Sequence, residues 1–205
     1  MVVKHLSLIM SRAYSNHIEK QKNIADAAKR LFLKNGYTET GMDSVAAEAG
    51  VTKQTVYRYF QSKEALFEHI IREISDERMN YSFGRSGVLE ELTRFGVYFI
   101  SEHLKPEKLE FFRLMISESG KGSVFGKIFC QERQDVRKQP LTGYFRDRLG
   151  MDNCQMLADM YCSMLLSMRT RILMGGRDVP DDGQIADHAQ LTAEIFINGL
   201  LSLKV

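Results

Sequence analysis

The sequence predicts an all-α protein in which a small N-terminal three-helix domain precedes a larger helical domain. Apolar residues recur at spacings of three and four through most of the chain, and no segment alternates apolar and polar residues as a strand would. Three prolines and eleven methionines among 205 residues are typical of a helical chain, because proline is excluded from helix interiors and methionine favours helices. Gly84 and Gly87 interrupt the periodicity, so we expect domains at 1–80 and 81–205.

The helical periodicity of apolar residues is weakest at the start of the chain. Residues 1–15 have no firm periodicity and are expected to form a flexible arm. From His17 to Asn35 the apolar residues repeat at helical spacing, and the pair Asn35-Gly36 is a signal that ends a helix. A first helix over this range would support the segment that follows.

The segment that follows predicts two short helices joined by a tight turn. Asp43 is expected to cap a helix over Ser44–Ala49, because its carboxylate can accept the unpaired amides of the first turn. Gly50 would end this helix in a left-handed conformation, and Thr52 would cap a second helix over Lys53–Tyr59. Two short helices around such a turn form a helix-turn-helix, whose second helix can enter the DNA major groove.

The second short helix has the side chains that DNA recognition requires. Cations, an amide and hydroxyl groups suit base edges and phosphates. The predicted DNA-contacting residues on it are Thr52, Lys53, Gln54, Thr55, Tyr57 and Tyr59. Ser62 would cap the next helix, with Lys63 at its first position, where a cation opposes the helix dipole unless a phosphate lies beside it. We therefore expect Lys63 to bind a phosphate.

Charge is distributed unevenly along the chain. Residues 1–63 contain ten Lys and Arg against five Asp and Glu, whereas the whole chain has a formal net charge of only +2. Positive charge is thus concentrated where the helix-turn-helix is predicted. This asymmetry is typical of a protein that meets a polyphosphate with one end.

Residues Ile24 to Ile70 resemble the N-terminal DNA-binding domain of the TetR family of bacterial transcriptional regulators. The resemblance rests on motif residues in each predicted helix: Ala27, Phe32, Gly36-Tyr37, Ala46, Ala49-Gly50-Val51-Thr52, Thr55-Val56-Tyr57, Tyr59-Phe60, Ser62-Lys63-Glu64 and Leu66. One departure is Gly41, which stands where the family usually has Ser or Thr. The resemblance therefore predicts a DNA-binding regulator in which the phosphate contact of that hydroxyl is absent.

The C-terminal part of the chain ends in two strongly apolar helices, predicted over about Asp152–Met174 and Gln184–Leu203. Met156, Met160, Met164 and Met168 recur at four-residue spacing in the first of them. The resemblance implies that these two helices pair with a second copy in a four-helix dimer interface. The alternative is that the methionines belong to the intramolecular core.

The resemblance also implies that the C-terminal domain binds a small-molecule effector. Aromatic and methionine side chains line apolar ligand sites, and methionine adapts to irregular ligands. The candidate lining residues are Phe95, Phe99, Phe112, Met115, Phe145, Met160 and Met164. The same residues would equally be chosen as ordinary core.

No catalytic or metal-binding motif is recognisable in the sequence, so we predict no enzyme activity, no cofactor and no metal. Three cysteines without close spacing indicate neither a disulfide framework nor a zinc site. No apolar run approaches the roughly 18 residues of a membrane span, and no signal peptide is recognisable, so a cytoplasmic protein is expected.

These expectations combine into a homodimeric regulator of the TetR type. As a repressor it would bind a palindromic operator in double-stranded DNA and be released by a small apolar or amphipathic effector. The alternative is a DNA-binding protein without a small ligand, whose C-terminal domain binds a protein partner. The choice of repression over activation rests on the resemblance alone.

Overall fold

The computed structural model describes residues 2–75, 81–120 and 139–202, with side chains from residue 14 onward. All regular structure in these ranges is helical, as the periodicity predicts. The helices are α1 (Val2–Asn35), α2 (Met42–Glu48), α3 (Lys53–Tyr59), α4 (Lys63–Ser75), α5 (Val88–His103), α6 (Pro106–Ser119), α7 (Gln139–Leu149), α8 (Cys154–Leu165), α9 (Arg169–Leu173) and α10 (Asp182–Ser202).

The chain divides into two compact units. The N-terminal unit comprises Met1–Asp76 together with Leu114–Glu132, and the C-terminal unit comprises Glu77–Arg113 together with Arg133–Val205. The division passes through α6, so the last residues of this helix count with the N-terminal unit. The predicted domains, 1–80 and 81–205, are each one continuous segment. Each compact unit of the structure instead combines two segments of the chain.

Helix α1 is much longer than the sequence predicted. The expected flexible arm at residues 1–15 is wrong for the backbone, because α1 begins at Val2 and extends over 34 residues. No glycine or proline occurs between residues 1 and 35, so nothing in the chain stops the helix from continuing toward its N-terminus.

The N-terminal unit has its own apolar core. Ile24, Phe32, Val45, Val56 and Phe67 are fully buried in it, one or two from each of the four helices. Phe32 and Phe67 meet edge to face, with ring centroids 5.6 Å apart. Because every helix contributes to one core, the short helices α2 and α3 are held by packing that their own length would not supply.

The core of the C-terminal unit is formed chiefly by α5, α7, α8 and α10. Helices α5 and α10 approach closely at Gly96, where an added Cβ would lie 3.0 Å from both Ala189 Cβ and Leu165 Cδ2. The buried hydroxyl of Tyr161 donates a hydrogen bond of 2.9 Å to the Leu92 carbonyl. A small residue at position 96 is therefore required for these helices to pack.

The predicted continuous helix over Asp152–Met174 is wrong. The structure divides it into α8 and α9, separated by turns at residues 166–168. His188 Nε2 on α10 donates to the carbonyls of Met164 at 3.3 Å and Leu165 at 3.2 Å. A side chain of another helix therefore satisfies these two carbonyls. The interruption coincides with this tertiary contact, and neither glycine nor proline occurs at residues 166–168.

Two stretches inside the chain lie outside the described residues. They are residues 76–80, which follow α4, and residues 121–138, which precede α7. Within α7, Pro140 occupies the first turn, where no amide partner is needed.

Substitution of Gly96 tests the close approach of α5 and α10. Gly96→Val should lower the free energy of unfolding by about 1–3 kcal/mol, because the side chain has to displace Ala189 or Leu165. Gly143→Ala is the control, since no atom of the described residues lies within 4 Å of its added Cβ. The control should raise stability by about 0.5–1 kcal/mol in urea unfolding. A neutral Gly96→Val would contradict the packing.

Candidate nucleic-acid interface

The turn between α2 and α3 has the geometry that the sequence predicted. Gly50 has a φ of +65°, in the left-handed region. The Gly50 amide donates to the Ala47 carbonyl at 3.1 Å, and the Val51 amide donates to the Ala46 carbonyl at 3.0 Å. This pair of bonds is a Schellman motif, which satisfies the last carbonyls of α2 and reverses the chain direction.

The start of α3 is capped as predicted. Thr52 is the N-cap, and its Oγ1 accepts a hydrogen bond from the Thr55 amide at 3.2 Å. The two threonine hydroxyls are also 2.9 Å apart and hydrogen bonded. The orientation of α3 relative to α2 is therefore fixed by local bonds on both sides of the turn.

The predicted cap of α2 is wrong by two residues. Helix α2 begins at Met42, its N-cap is Gly41, and Asp43 lies inside the first turn. Asp43 instead forms an ion pair with Lys53 across the turn, with Nζ 2.9 Å from Oδ1. Gly41 itself has an ordinary extended conformation, with φ −94° and ψ 158°, so glycine is not required there.

The predicted DNA-contacting residues of α3 differ in exposure. Thr52, Lys53, Gln54 and Tyr57 are exposed, as is Arg58, whereas Thr55 and Tyr59 are half-buried. The Tyr59 ring packs on His17 of α1, with centroids 4.6 Å apart. The exposed polar side chains of α3 thus form a continuous surface, while Thr55 and Tyr59 help to hold the helix in place.

A groove of about 390 Å³ runs beside α3; we call it the head groove. Its lining residues come from the start of α2, from α3 and from the start of α4: Thr40, Gly41, Met42, Asp43, Lys53, Tyr57, Gln61, Ser62, Lys63 and Glu64. Three of the predicted DNA-contacting residues therefore meet in one place, although the sequence separates them by up to ten positions.

Lys63, the first residue of α4, is bonded to the backbone of the α1–α2 turn. Its ammonium donates to the carbonyls of Tyr37 at 2.9 Å, Thr38 at 3.2 Å and Thr40 at 2.9 Å. It also lies 4.3 Å from the centroid of the Tyr37 ring. An ammonium has three hydrogens, and all three are used here. Lys63 therefore connects the start of α4 to the α1–α2 turn, and its contact with a DNA phosphate stays a prediction.

The same turn is also bonded to Glu118, a residue that no sequence motif identifies. Glu118 is buried at the end of α6, and its Oε2 accepts from the Thr38 hydroxyl at 2.5 Å and the Thr38 amide at 3.2 Å. Asn23 of α1 similarly donates to the carbonyl of Ala49, the C-cap residue of α2, at 2.9 Å. Neither contact had a sequence signal, because each joins residues 26 or more positions apart.

The C-terminal unit has a second groove, of about 440 Å³, which we call the aromatic groove. Its lining residues surround the segment before α5 and the start of α7: Tyr81, Ser82, Phe83, Gly84, Gln139, Pro140, Gly143, Tyr144, Asp147 and Arg148. Phe83 and Tyr144 are stacked, with ring centroids 4.2 Å apart. A volume in this range is sufficient for a small organic ligand.

A buried carboxylate holds one wall of the aromatic groove. Glu91 accepts hydrogen bonds from the amides of Gly84 at 2.8 Å and Ser86 at 3.1 Å, and it is paired with Arg94. Burial alone would raise the pKa of Glu91, but these amides and the guanidinium outweigh burial and lower it. Glu91 therefore stays ionised and fixes the backbone before α5.

None of the seven predicted ligand-lining residues lines the aromatic groove. Phe95, Phe99 and Phe145 are buried in the core of the C-terminal unit. The Phe112 ring lies under the Arg169 guanidinium, 4.5 Å from its carbon. The remaining three are the methionines: Met115 is buried in the N-terminal unit, Met164 packs against the C-terminal core, and Met160 is half exposed.

Exposed apolar side chains are concentrated on the last long helices. Met156 and Met160 of α8, and Leu191 and Ile195 of α10, are each more than half exposed. The members of each pair are four residues apart, so each pair forms one stripe along its helix. Large apolar side chains grouped in this way are typical of a surface that meets another protein.

Fold and turn together define a helix-turn-helix transcriptional regulator. Residues 24–70 match the family model described as bacterial regulatory proteins, tetR family. Residues 90–199, more than half of the chain, match the model described as AefR-like transcriptional repressor, C-terminal domain. The chain belongs to the TetR family of bacterial transcriptional regulators.

Individual relatives agree with this assignment. The HTH-type transcriptional regulator YfiR of Bacillus subtilis is 31% identical over 103 residues, which cover 45% of this chain and 50% of YfiR. YhgD of the same organism is 42% identical over 60 residues, 29% of this chain and 31% of YhgD. The match therefore spans at most half the length of these two curated relatives, both of which are named as transcriptional regulators.

Two solved structures have the same fold over most of their length. The flavonoid-responsive regulator FrrA has a TM-score of 0.75 and 25% identity, covering 88% of this chain and 96% of its own. A TetR-family regulator from Mesorhizobium loti has a TM-score of 0.70 and 21% identity over the same shares.

Within the described residues, no helix combines the length and apolarity that crossing a membrane requires. In the same part of the chain, no three His, Cys, Asp or Glu side chains are grouped as metal ligands.

The two glycines around α2 should respond to substitution in opposite directions. Gly41→Ser should raise the free energy of unfolding by about 0.5–1 kcal/mol, because the extended backbone accepts any residue and the hydroxyl would cap α2. Gly50→Ala should lower it by about 1–2 kcal/mol, because φ is positive there. Urea unfolding of both variants measures this difference, and a stabilising Gly50→Ala would contradict the turn geometry.

Proposed function

We propose that the protein is a homodimeric transcriptional repressor that binds a palindromic operator and releases it when a small apolar or amphipathic effector binds. The observation that carries the proposal is the exposed polar surface of α3, held by a Schellman turn on one side and a threonine cap on the other. Such a helix can enter the major groove with its side chains toward base edges.

Gln54 and Tyr57 are the proposed base-reading residues, since both are exposed on α3 and carry groups that hydrogen bond to bases. Thr52 and Lys53 are proposed to contact the DNA backbone. Thr55 and Tyr59 are proposed to contribute chiefly by positioning α3. Two copies of α3 related by two-fold symmetry would enter successive major grooves roughly 34 Å apart.

The proposed dimer interface consists of α8 and α10. Its support is the pair of exposed apolar stripes, Met156 with Met160 and Leu191 with Ile195. Packed against a second copy, they would form a four-helix interface and remove this apolar area from water. This also assigns the methionine stripe to the subunit interface, with Met164 on its inner side.

The proposed effector site is the aromatic groove. Its support is the volume of about 440 Å³ and the stacked rings of Phe83 and Tyr144. The neighbour FrrA, 25% identical, is by its name responsive to flavonoids, which are aromatic, and this favours an effector with a ring system. An effector releases DNA only if it prefers a conformation that fits the operator poorly, and the operator must then weaken effector binding by the same factor.

Selection of bound duplexes from a random pool, at two salt concentrations, tests the proposal directly. An enriched inverted repeat is the expected result, because two symmetry-related heads read two half-sites. Gln54→Ala should change the preferred bases and weaken operator binding by roughly five- to a hundredfold. Binding without an enriched motif would contradict a sequence-specific regulator and favour a general DNA-binding role with a protein partner for the C-terminal unit.

Ile195→Glu tests the proposed dimer interface. A charge in the apolar stripe should convert the protein to a monomer in sedimentation and weaken operator binding about a hundredfold or more, because the two heads are no longer linked. Ile116→Glu is the matched control, since Ile116 on α6 is equally exposed but lies outside α8 and α10. A dimeric Ile195→Glu protein would exclude this interface.

A further inference from the structure

The ion pair between Asp43 and Lys53 lies in the head groove, at the edge of the surface proposed to meet DNA. Lys53 Nζ is 2.9 Å from Asp43 Oδ1 and 3.1 Å from Oδ2, so both carboxylate oxygens are used. The Asp43 side chain is 71% exposed and that of Lys53 is 58% exposed. Solvent, and therefore another anion, can reach both partners.

The two lysines of the head groove are held in different ways. Lys63 donates to three carbonyls that are part of the backbone of the α1–α2 turn. Lys53 is held by a single exposed carboxylate, and such pairs contribute little to stability. A phosphate can therefore take the place of Asp43 on Lys53, whereas Lys63 has no hydrogen left to donate.

We infer that Asp43 competes with the DNA backbone for Lys53 and thereby limits the affinity of the protein for DNA of any sequence. This inference rests on the proposed function, because it requires α3 to meet DNA. A phosphate that approaches Lys53 has to displace the Asp43 carboxylate, which also repels the phosphate. Part of the free energy gained from the Lys53–phosphate contact is therefore lost in breaking the Lys53–Asp43 ion pair.

Two physical consequences follow from this exchange. The bond to Asp43 raises the pKa of Lys53, so the ammonium remains charged and ready to exchange partners. The charge of Lys53 is already neutralised by Asp43. When Lys53 binds a phosphate, fewer counterions are therefore released than when an unpaired lysine binds one. The salt dependence of DNA binding should therefore be less steep than the count of nearby cations indicates.

Asp43→Asn removes the competitor while keeping the shape of the side chain. Binding of the full-length protein to a random-sequence duplex of fixed length, measured at several salt concentrations, should become about three- to tenfold tighter. The slope of log affinity against log salt should become more negative by up to about 0.9 per subunit, because Asp43 no longer neutralises Lys53 before the phosphate binds. Asp43→Glu should retain wild-type behaviour.

Glu48→Gln is the matched control. Glu48 forms an exposed ion pair with Arg30 at 3.0 Å in the same unit, but neither residue lines the head groove. Glu48→Gln removes one negative charge, as Asp43→Asn does, so the general electrostatic attraction to DNA changes equally. The affinity for the random-sequence duplex is expected to change less than twofold. Asp43→Asn should also have little effect when combined with Lys53→Met, because the ammonium for which Asp43 competes is gone.

The inference is overturned if Asp43→Asn and Glu48→Gln change affinity and salt slope equally, or if the Asp43→Asn effect persists in the Lys53→Met background. Wild-type protein that fails to bind any duplex at low salt would instead refute the proposed function, and the inference with it. Unchanged thermal unfolding of all variants shows that the comparison concerns binding and not folding.

Discussion

The bonds from Lys63 to three backbone carbonyls fix the arrangement on which the DNA-binding head depends. Tyr37, Thr38 and Thr40 belong to the turn between α1 and α2, and Lys63 is the first residue of α4. One ammonium thus joins three helices at the point where their ends converge, and it donates hydrogen bonds to carbonyls that lie outside these helices. A cation at a helix start opposes the helix dipole, and the three carbonyls offset this cost.

The α1–α2 turn receives a second restraint, from Glu118 at the end of α6. Its carboxylate accepts from the amide and hydroxyl of Thr38, the residue whose carbonyl accepts from Lys63. A buried carboxylate and an ammonium therefore act on opposite sides of one peptide segment. Both residues, Glu118 and Thr38, belong to the N-terminal unit, so this restraint is internal to that unit.

Electrostatics in the head groove are more balanced than the sequence suggested. The N-terminal excess of positive charge is real, but one of the groove lysines is bonded to carbonyls and the other to Asp43. The net charge of this region therefore overstates the number of lysine ammonium groups that are free to bind a polyanion. In the C-terminal unit the notable surface is apolar, and it lies on α8 and α10.

The sequence by itself determined the helical class, the helix-turn-helix, the turn at Gly50 and the cap at Thr52, because these depend on residues within a few positions of one another. Tertiary structure decided the rest. The role of Lys63, the partner of Asp43, the break between α8 and α9, and the site of the aromatic groove all depend on contacts between distant residues. Local periodicity identifies which face of a helix is apolar, but it cannot distinguish a face that meets the core from one that remains exposed. Met160 and Met164 illustrate this limit, since they share one stripe and only packing separates them.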